Sequence, residues 1–428
     1  MIQVEFKERK MKRRAFIKNS SLAGMGLLLN PWLLTQCTND TQVSSSNIAA
    51  APSENKMKHL VLEGNPRQRG RIHGETLRAE INELVGGQTG AIRKAGGDPL
   101  DYVNRIVDGT GFLDAAEKWT PHCVEEIRGI AEGAGIDFKI MFAFNLLDES
   151  GWFFQGKSWM NPDYKDDSHC SVLGVGREDI HPATVAQNAD MGPAIDGYQT
   201  VLHIKHSDSD LEELIMTLPG VMGVYGLSNR AIGVCLNAMT RSLNKSPAGL
   251  GTIFIARGIL HQKNLEEAIS FITRVKHASG EAYTFGDKER VVCFEGSAHK
   301  VVQFIPCPGA KRVYHTTHPL VNDDTWLSPD NPEKIAPELR ERFVLGIENS
   351  KTRFRTLEKR LKNPAESLTV KSVKDILSSH DPAEYPICRH DERGNITTFS
   401  MIMTLTDSPK LYAAPGPPCK TEYKTFQF

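Results

Sequence analysis

The pattern of hydrophobic and polar positions changes character near residue 170. Before it, apolar residues recur at helical spacing. Leu77, Ile81 and Leu84 predict one amphipathic helix, and a second is predicted over 121–134. The part of the chain that precedes residue 170 is therefore predicted to be mostly helical.

After residue 170 the chain breaks into short apolar runs separated by Gly, Pro, Asp and Asn, a pattern typical of successive antiparallel strands. Strands are predicted at 58–62, 171–175, 184–187, 200–204, 214–218, 224–227, 231–236, 281–286, 291–295, 301–305, 397–404 and 410–414. Helices are predicted over 252–261, from Asn264, which has capping-box spacing to Glu267, and over 339–361. Alternating runs of strands and helices predict a layered α+β fold.

A cysteine stands where the two patterns meet. The polar run Asp166-Asp167-Ser168-His169 precedes Cys170, and the apolar run 171–175 follows it, so the thiol lies at a loop-to-strand junction. If the His169–Cys170 bond is cleaved, Cys170 carries a thiol and a free α-amine, and one residue supplies both nucleophile and base. The alternative is an inert buried cysteine, which is the usual state of a free thiol in a core.

Several short motifs arranged around this cysteine resemble the acyl-coenzyme A:6-aminopenicillanic acid acyltransferase family of autoproteolytic N-terminal-nucleophile (Ntn) hydrolases. The resemblance begins at Gly64 and covers most of the chain that follows. The motifs are Arg69-Gly70-Arg71-Ile72-His73-Gly74, residues 129–135, Asn188-Ala189-Asp190, Pro219-Gly220, residues 233–237, His315-Thr316-Thr317-His318, Ile387-Cys388-Arg389-His390 and Gly416-Pro417-Pro418-Cys419.

The resemblance implies a four-layer αββα sandwich of two packed antiparallel sheets, with the nucleophile at the end of a central strand. It also implies cleavage between His169 and Cys170. Residues 59–169 would then be a mostly helical pro-segment that becomes the smaller chain, and residues 170–428 the catalytic chain. The processed protein would be a two-chain heterodimer.

Three further residues are candidates for the site. Asp190 follows a strand predicted to pair with the nucleophile strand, so a hairpin would bring its carboxylate to the Cys170 amine; otherwise it is a turn aspartate. Asn237 ends an apolar strand, where its amide could donate to an oxyanion or simply form a turn. By the resemblance, Arg389 reaches the nucleophile region, where its guanidinium could hold Asp190 or a substrate carboxylate.

Thr317 marks a departure from the family pattern. Many relatives have asparagine at this position of the His-Thr-Asn-His motif, and the resemblance assigns that side chain to the oxyanion hole. Thr317 offers only a shorter hydroxyl. It is kept as a candidate, with Asn237 or backbone N–H groups as the alternative donors.

The N-terminus reads as a targeting segment. Seven Lys or Arg and two Glu precede an uncharged stretch over 19–36, and Arg13-Arg14 stands just ahead of it. This pattern resembles a twin-arginine export signal over 1–36, with a membrane anchor as the alternative. Cys37 could be acylated as in bacterial lipoproteins, and the polar residues 37–58 would then be a tether; otherwise they are a disordered leader. The expected location is the periplasm or cell envelope.

Charge and cysteine usage exclude other classes. The 51 basic and 52 acidic residues nearly balance, and no basic run predicts a nucleic-acid surface. Eight cysteines are present, and outside Cys37 and Cys170 their pairing stays open. No CxxC motif occurs, and His315 and His318 lie in an extended segment, so the sequence predicts no zinc site. No cofactor is expected either.

The expected function is that of an exported Ntn amidohydrolase or acyltransferase. It would form a thioester on Cys170 from a small-molecule amide or acyl donor and pass the acyl group to water or an amine. A catalytically silent, uncleaved envelope-binding protein of the same fold is the alternative. A thiol oxidoreductase is disfavoured because no second cysteine neighbours Cys170 in the sequence.

Overall fold

The computed structural model describes residues 57–428, apart from 95, 154–169, 179–180, 240, 329–334, 336, 363–367 and 391–394. The predicted export signal, Cys37 and His169 therefore lie outside the described residues. None of the helices in the described ranges is both long and apolar enough to cross a membrane.

The described residues before Cys170 are mostly helical, as predicted. Strand β1 (Lys58–Gly64) opens this segment. The helices that follow are α1 (Pro66–Thr76), α2 (Arg78–Lys94), α3 (Pro99–Val107), α4 (Phe112–Trp119), α5 (Pro121–Ala134), α6 (Phe138–Phe144) and α7 (Leu147–Phe153). The predicted end of α5 is confirmed, because Gly135 caps it in the left-handed conformation at φ 71°.

Helices α1 and α5 cross at very short range, and glycines on both make this possible. A Cβ added at Gly70 would lie 1.9 Å from the Glu126 carbonyl oxygen, and one at Gly129 would lie 2.1 Å from the Arg67 carbonyl oxygen. Small residues at such spacing let two helix backbones approach closely. The glycines in two of the sequence motifs are therefore explained by packing.

Two sheets form the centre of the molecule. The described strands are β2 (Ser171–Val175), β3 (Ala183–Met191), β4 (Thr200–His206), β5 (Glu212–Thr217), β6 (Tyr225–Ser228), β7 (Gly233–Ala238), β8 (Glu281–Gly286), β9 (Val291–Gly296), β10 (Val301–Phe304), β11 (Arg312–His315), β12 (Ile396–Leu405), β13 (Lys410–Ala414) and β14 (Lys424–Gln427). One sheet has the order β1-β4-β5-β6-β7-β8-β9-β10 and the other β11-β2-β3-β12-β13-β14.

The sheets pack face to face, with β2 and β3 of the smaller sheet against β7, β8 and β9 of the larger. The remaining helices are α8 (Thr252–Leu260), α9 (Leu265–Arg274), α10 (Pro337–Leu361) and α11 (Val370–Leu377). Helix α8 contacts β6 and β7, while α10 and α11 contact the strands of the smaller sheet. This arrangement confirms the predicted four-layer αββα sandwich.

One strand pairing differs from the expected antiparallel sheets. β1 pairs with β4 in parallel, with Lys58 opposite Thr200 and Gly64 opposite His206. Because β1 precedes the predicted cleavage point and β4 follows it, the two parts of the chain share one sheet.

A buried ion-pair cluster also joins these two parts. The Arg257 guanidinium of α8 donates to both carboxylate oxygens of Glu126 of α5, at 3.0 Å and 3.2 Å. It also donates to the Glu213 carboxylate of β5 at 3.1 Å. Arg69 lies 3.5 Å from Glu126, and His206 lies 2.9 Å from Glu213. Arg69, which the sequence offered as a motif residue, therefore has a structural role.

The sequence pattern left several elements unpredicted: helices α1, α3, α4, α6 and α7 before Cys170, and β11, α11 and β14 after it. β11 has only four residues and includes a charged one, so alternation gives little signal. Helix α11 did carry a signal, since Thr369 caps it and Val373, Ile376 and Leu377 form its buried face. β11 matters most because it places the 315–318 motif beside β2.

Candidate active site

Cys170 immediately precedes β2, and its side chain belongs to the core between the sheets, with 6% of its surface exposed. Burial, followed by the negative charge of Asp190, raises the pKa of the Cys170 thiol to about 12. Hydrogen bonds to the Asp190 backbone and the Gln187 side chain, and the Arg353 charge, lower this pKa. The thiol of the uncleaved chain is therefore neutral near pH 7 and needs a base before it can attack.

Asp190 lies on β3, which pairs with β2 in the antiparallel hairpin expected from the sequence. The carboxylate is fully buried. One of its oxygens accepts a hydrogen bond from Thr397 Oγ1 at 2.7 Å, and the other has no hydrogen-bond partner among the described residues. Burial raises the pKa of the Asp190 carboxyl to about 6, against the charges of Arg389 and Arg353. An unpaired buried oxygen of this kind is suited to receive a donor that arrives later.

The backbone of Arg389 is fixed to the same place. Its N–H donates to Thr397 Oγ1 at 2.9 Å, and its carbonyl accepts from the Thr397 N–H at 3.2 Å. The Arg389 guanidinium is the largest of the influences that lower the Asp190 pKa. The structure thus brings Arg389 to Asp190, nearly 200 positions away in the sequence.

A second arginine at the site was missed by the sequence analysis. Arg353 of α10 is fully buried and donates to the Cys170 carbonyl at 2.6 Å and to Ser171 Oγ at 2.8 Å. The signal was its position four residues before Leu357, which puts both side chains on the buried face of the helix. Because this helix contains many charged residues, the sequence did not distinguish the buried Arg353 from the exposed arginines around it.

Asn237 is the next-to-last residue of β7, the strand that packs opposite the nucleophile hairpin. The backbone of its neighbour Leu236 donates to Gln187 Oε1 at 3.0 Å and accepts from Gln187 Nε2 at 2.8 Å, which ties β7 to β3 across the two sheets. The Asn237 side chain is fully buried, yet neither of its polar atoms has a hydrogen-bond partner among the described residues. It can donate to a group that enters between the sheets.

Thr317 lies just after β11 and is linked to Cys170 through Arg353. Its hydroxyl accepts from Arg353 Nη2 at 3.3 Å and lies 3.3 Å from Ser350 Oγ. Its backbone N–H donates to Ser350 Oγ at 2.8 Å. Thr317 therefore helps to hold Arg353 in place, and its backbone N–H and its hydroxyl are already hydrogen-bonded to residues of the site.

A pair of buried acids, also missed by the sequence analysis, lies on the larger-sheet side. Burial raises the pKa of Glu281 well above its usual range, and nearby negative charges, including that of Cys170, act in the same direction. Its neighbour Glu149 accepts from the Thr252 backbone at 2.9 Å and from Ser279 Oγ at 2.9 Å. One carboxylate oxygen of each acid has no hydrogen-bond partner in the described structure. A neutral Glu281 can donate a hydrogen bond to a bound polar group.

In the described part of the chain, the site combines a thiol at the head of an inner strand, a carboxylate with one oxygen without a partner, two arginines and an amide without a partner. These are the parts that acyl transfer through a thiol uses: a nucleophile, an orienting acid and donors for an oxyanion. The fold is an αββα sandwich with a candidate thiol-centred site for acyl transfer at the head of an inner strand.

The comparison with known families agrees. The family described as acyl-coenzyme A:6-aminopenicillanic acid acyl-transferase matches residues 177–410, more than half of the chain, and the protein belongs to this family. Protein dcd1A of Dictyostelium discoideum is 31% identical over 330 residues, which cover 68% of this chain and 71% of that protein.

One solved structure is also similar, although distantly. A mutant of the conjugated bile acid hydrolase from Clostridium perfringens matches at 11% identity and a TM-score of 0.34, over 60% of this chain and 97% of that one. The family assignment rests on the two sequence matches.

Proposed function

We propose that this protein is an exported, self-cleaving Ntn amidohydrolase or acyltransferase that acts on a C–N bond through a thioester on Cys170. The observation that supports this most directly is the position of Asp190. Asp190 lies on β3, which pairs with β2 so that Ser171 faces Asn188, and its charge acts on the Cys170 thiol. One of its buried carboxylate oxygens has no hydrogen-bond partner among the described residues. An ammonium group formed at Cys170 would satisfy that oxygen.

Self-cleavage begins with the attack of the Cys170 sulfur on the carbonyl carbon of residue 169. The C–N bond to Cys170 breaks, the thiol proton ends on the Cys170 nitrogen, and the acyl group moves to sulfur. Asp190, with its pKa raised to about 6, is suited to carry that proton. Water then hydrolyses the thioester, which releases the carboxylate of residue 169 and leaves Cys170 with a free thiol and α-amine.

Turnover reuses the same sulfur. The α-amine takes the thiol proton, and the thiolate attacks the acyl carbon of a small-molecule amide or acyl donor. Asn237 or backbone N–H groups would donate hydrogen bonds to the oxyanion that forms. Collapse expels the amine, which takes the proton from the α-ammonium. Water or another amine then accepts the acyl group from the thioester and restores the thiol.

Mass spectrometry of the purified protein tests the first step. We expect two chains, the larger beginning at Cys170 and ending at Phe428. The Cys170→Ala variant should stay uncut, while Cys170→Ser should cut slowly, because a hydroxyl can make the corresponding N-to-O shift. A wild-type chain that stays intact or is cut elsewhere would contradict the proposal and favour the silent binding protein.

Export is part of the proposal and is tested separately. Replacing both Arg13 and Arg14 with lysine should hold precursor in the cytoplasm if the pair is a twin-arginine signal. Unchanged delivery in cells that lack this pathway would exclude that route. Labelling with palmitate, compared between wild type and Cys37→Ser, would decide whether Cys37 carries a lipid tether.

A further inference from the structure

Four metal-ligating side chains converge next to the proposed active site. They are His380, Cys388, His390 and Cys419, and one donor atom from each lies within 4.8 Å of all the others. Cys388 is buried, His390 is half-buried, and His380 and Cys419 are exposed. The sequence predicted no metal site because these residues come from separate stretches without the usual ligand spacing.

The crowding around one nitrogen is difficult to explain by hydrogen bonding. His390 Nε2 lies 2.9 Å from His380 Nε2, 3.0 Å from Cys419 Sγ and 3.8 Å from Cys388 Sγ. A ring nitrogen has either one proton or one lone pair in its plane, so it forms one good hydrogen bond. Three further donor atoms directed at it are better explained by a cation that all four would ligate.

We propose that this Cys388–Cys419–His380–His390 cluster is a zinc site. Two thiolates and two imidazoles form a donor set that Zn²⁺ takes in structural sites, at about 2.3 Å for sulfur and about 2.0–2.1 Å for nitrogen. A tetrahedron with those bonds has edges of about 3.3–3.8 Å. The separations of 2.9 Å and 3.0 Å are about half an ångström shorter than the matching edges, 3.8 Å lies at the upper end of the range, and all four donor atoms lie within 4.8 Å of one another. Small side-chain rotations would bring the four donors to these edges around one ion.

Backbone and side-chain contacts already hold the ligands in position. The Cys388 N–H donates to the Ser379 carbonyl at 3.0 Å. Asn188 of β3 donates to the Leu377 and Ile387 carbonyls at 2.8 Å and 3.0 Å. Cys419 lies in the turn between β13 and β14. The metal would therefore fasten the loop after α11 to the far edge of the smaller sheet.

The consequence for the proposed function lies in Arg389, which stands between two of the ligands. With four protein ligands the site has no open position for substrate, so the metal is structural. It would fix the backbone that presents Arg389 to Asp190. This positioning role depends on the proposed function, whereas metal binding does not.

A disulfide between Cys388 and Cys419 is the competing arrangement, since an exported protein meets an oxidising environment. It would use both sulfurs and leave the two histidines with no role in common. The two arrangements differ in metal content and in the number of free thiols, so both can be measured on the same sample.

The experiment uses the full-length, tag-free protein with Cys170→Ala, which keeps it independent of cleavage and activity. We expect about one zinc per chain by elemental analysis. Cobalt exchange should give the visible absorption of a tetrahedral site with thiolate ligands. His380→Gln and Cys419→Ser should each lower zinc content at least about tenfold at limiting metal, because each removes one ligand.

Cys307→Ser is the matched control, since Cys307 is exposed and lies outside the cluster. It should keep the full zinc content. Wild-type protein without zinc after purification and after incubation with zinc under reducing conditions would overturn the proposal. So would a Cys388–Cys419 disulfide found by peptide mapping of protein prepared with zinc. Zinc that is unaffected by both ligand variants would place the metal elsewhere and would also refute it.

In the self-cleaving protein, His380→Gln should lower kcat with little change in KM. Because Arg389 would shift, the acid limb of the pH profile should move to higher pH, as expected for removal of the Arg389 charge. A lower kcat with an unmoved acid limb would remove the positioning role while leaving the metal site intact.

Discussion

Two buried charged regions of the described structure treat charge in opposite ways. In the ion-pair cluster, Glu126 and Glu213 each face the Arg257 guanidinium. At the proposed active site, Asp190 keeps one oxygen without a partner in the described structure. The cluster stabilises the assembly of the two chain segments, whereas the site keeps unsatisfied groups for chemistry, as active sites commonly do at a cost in stability.

The pKa values express this difference. Despite burial, the arginines lower the pKa of both Glu126 and Glu213. These carboxylates therefore contribute stability above the ordinary glutamate pKa, and that contribution is lost as the pH falls through their lowered values. Asp190 behaves in the opposite way, because its pKa is raised to about 6. Its charge opposes folding above that pH, and protonation relieves the cost as the pH falls.

The largest effect is expected from Cys170→Ala. It should abolish both cleavage and turnover, because both proposed reactions use the Cys170 sulfur, while the protein stays folded. Activity assays and thermal unfolding test this together. Cys293→Ala, which removes a buried thiol from β9, should cleave normally. Residual turnover in Cys170→Ala would exclude Cys170 as the nucleophile.

Glu126→Gln tests the buried ion-pair cluster around Arg257. It leaves Arg69 and part of the Arg257 charge buried without a counter-ion, which costs about 3–5 kcal/mol of unfolding free energy. Urea unfolding of the uncleaved Cys170→Ala protein measures it. Glu125→Gln, one position away and with its side chain 45% exposed, should cost less than about 0.5 kcal/mol. Equal effects of the two changes would mean that the cluster does not join the segments.

Asn237→Ala should affect catalysis more than stability. If the Asn237 amide donates a hydrogen bond to the oxyanion, its loss should lower kcat about 10²–10³-fold. Little stability should be lost, because neither polar atom of the side chain is hydrogen-bonded in the described structure. Asn145→Ala is the contrasting control. Its amide bonds Met141, Gly220 and Met222, so that change should destabilise the protein. An unchanged kcat in Asn237→Ala would assign the oxyanion to backbone donors.

Asp190→Asn should stabilise the uncleaved Cys170→Ala protein at pH 8. The rise of the Asp190 pKa from 3.8 to about 6 corresponds to at most about 3 kcal/mol that the charged form costs the folded state. The gain should shrink between pH 6 and pH 4 and vanish below. Urea unfolding across this range, with exposed Asp208→Asn as the control, measures it. If the variant is less stable than its parent at pH 8, favourable interactions of the Asp190 carboxylate outweigh the cost of burying its charge, which contradicts this prediction.

The smallest effect is expected from Arg389→Ala in the cleaved enzyme. A nearby positive charge lowers the pKa of the Cys170 α-amine, which is near 8 in model peptides. Removing that charge should raise the amine pKa, so the acid limb of kcat/KM should move to higher pH, by less than about one unit. An exposed arginine such as Arg355 provides the control. An unmoved limb would mean that Arg389 does not act on the amine.

The sequence by itself determined the local features of this protein. Helical spacing and Gly135 gave helix α5 its bounds, because both signals act within a few residues. The polar run before Cys170 and the apolar run after it placed the thiol ahead of β2 for the same reason. The β2–β3 pairing that carries Asp190 also followed, since neighbouring strands commonly form hairpins.

Only the tertiary structure decided which distant groups meet. Arg353 contacts Cys170 because helix α10 packs on the smaller sheet, and no local pattern reports the partner of a buried arginine. His380, Cys388 and Cys419 converge on His390 because the loop after α11 folds back toward the β13–β14 turn. Whether a buried polar group is compensated depends on such meetings across the chain. Periodicity and spacing, which report only near neighbours, cannot separate the ion-pair cluster from the active site.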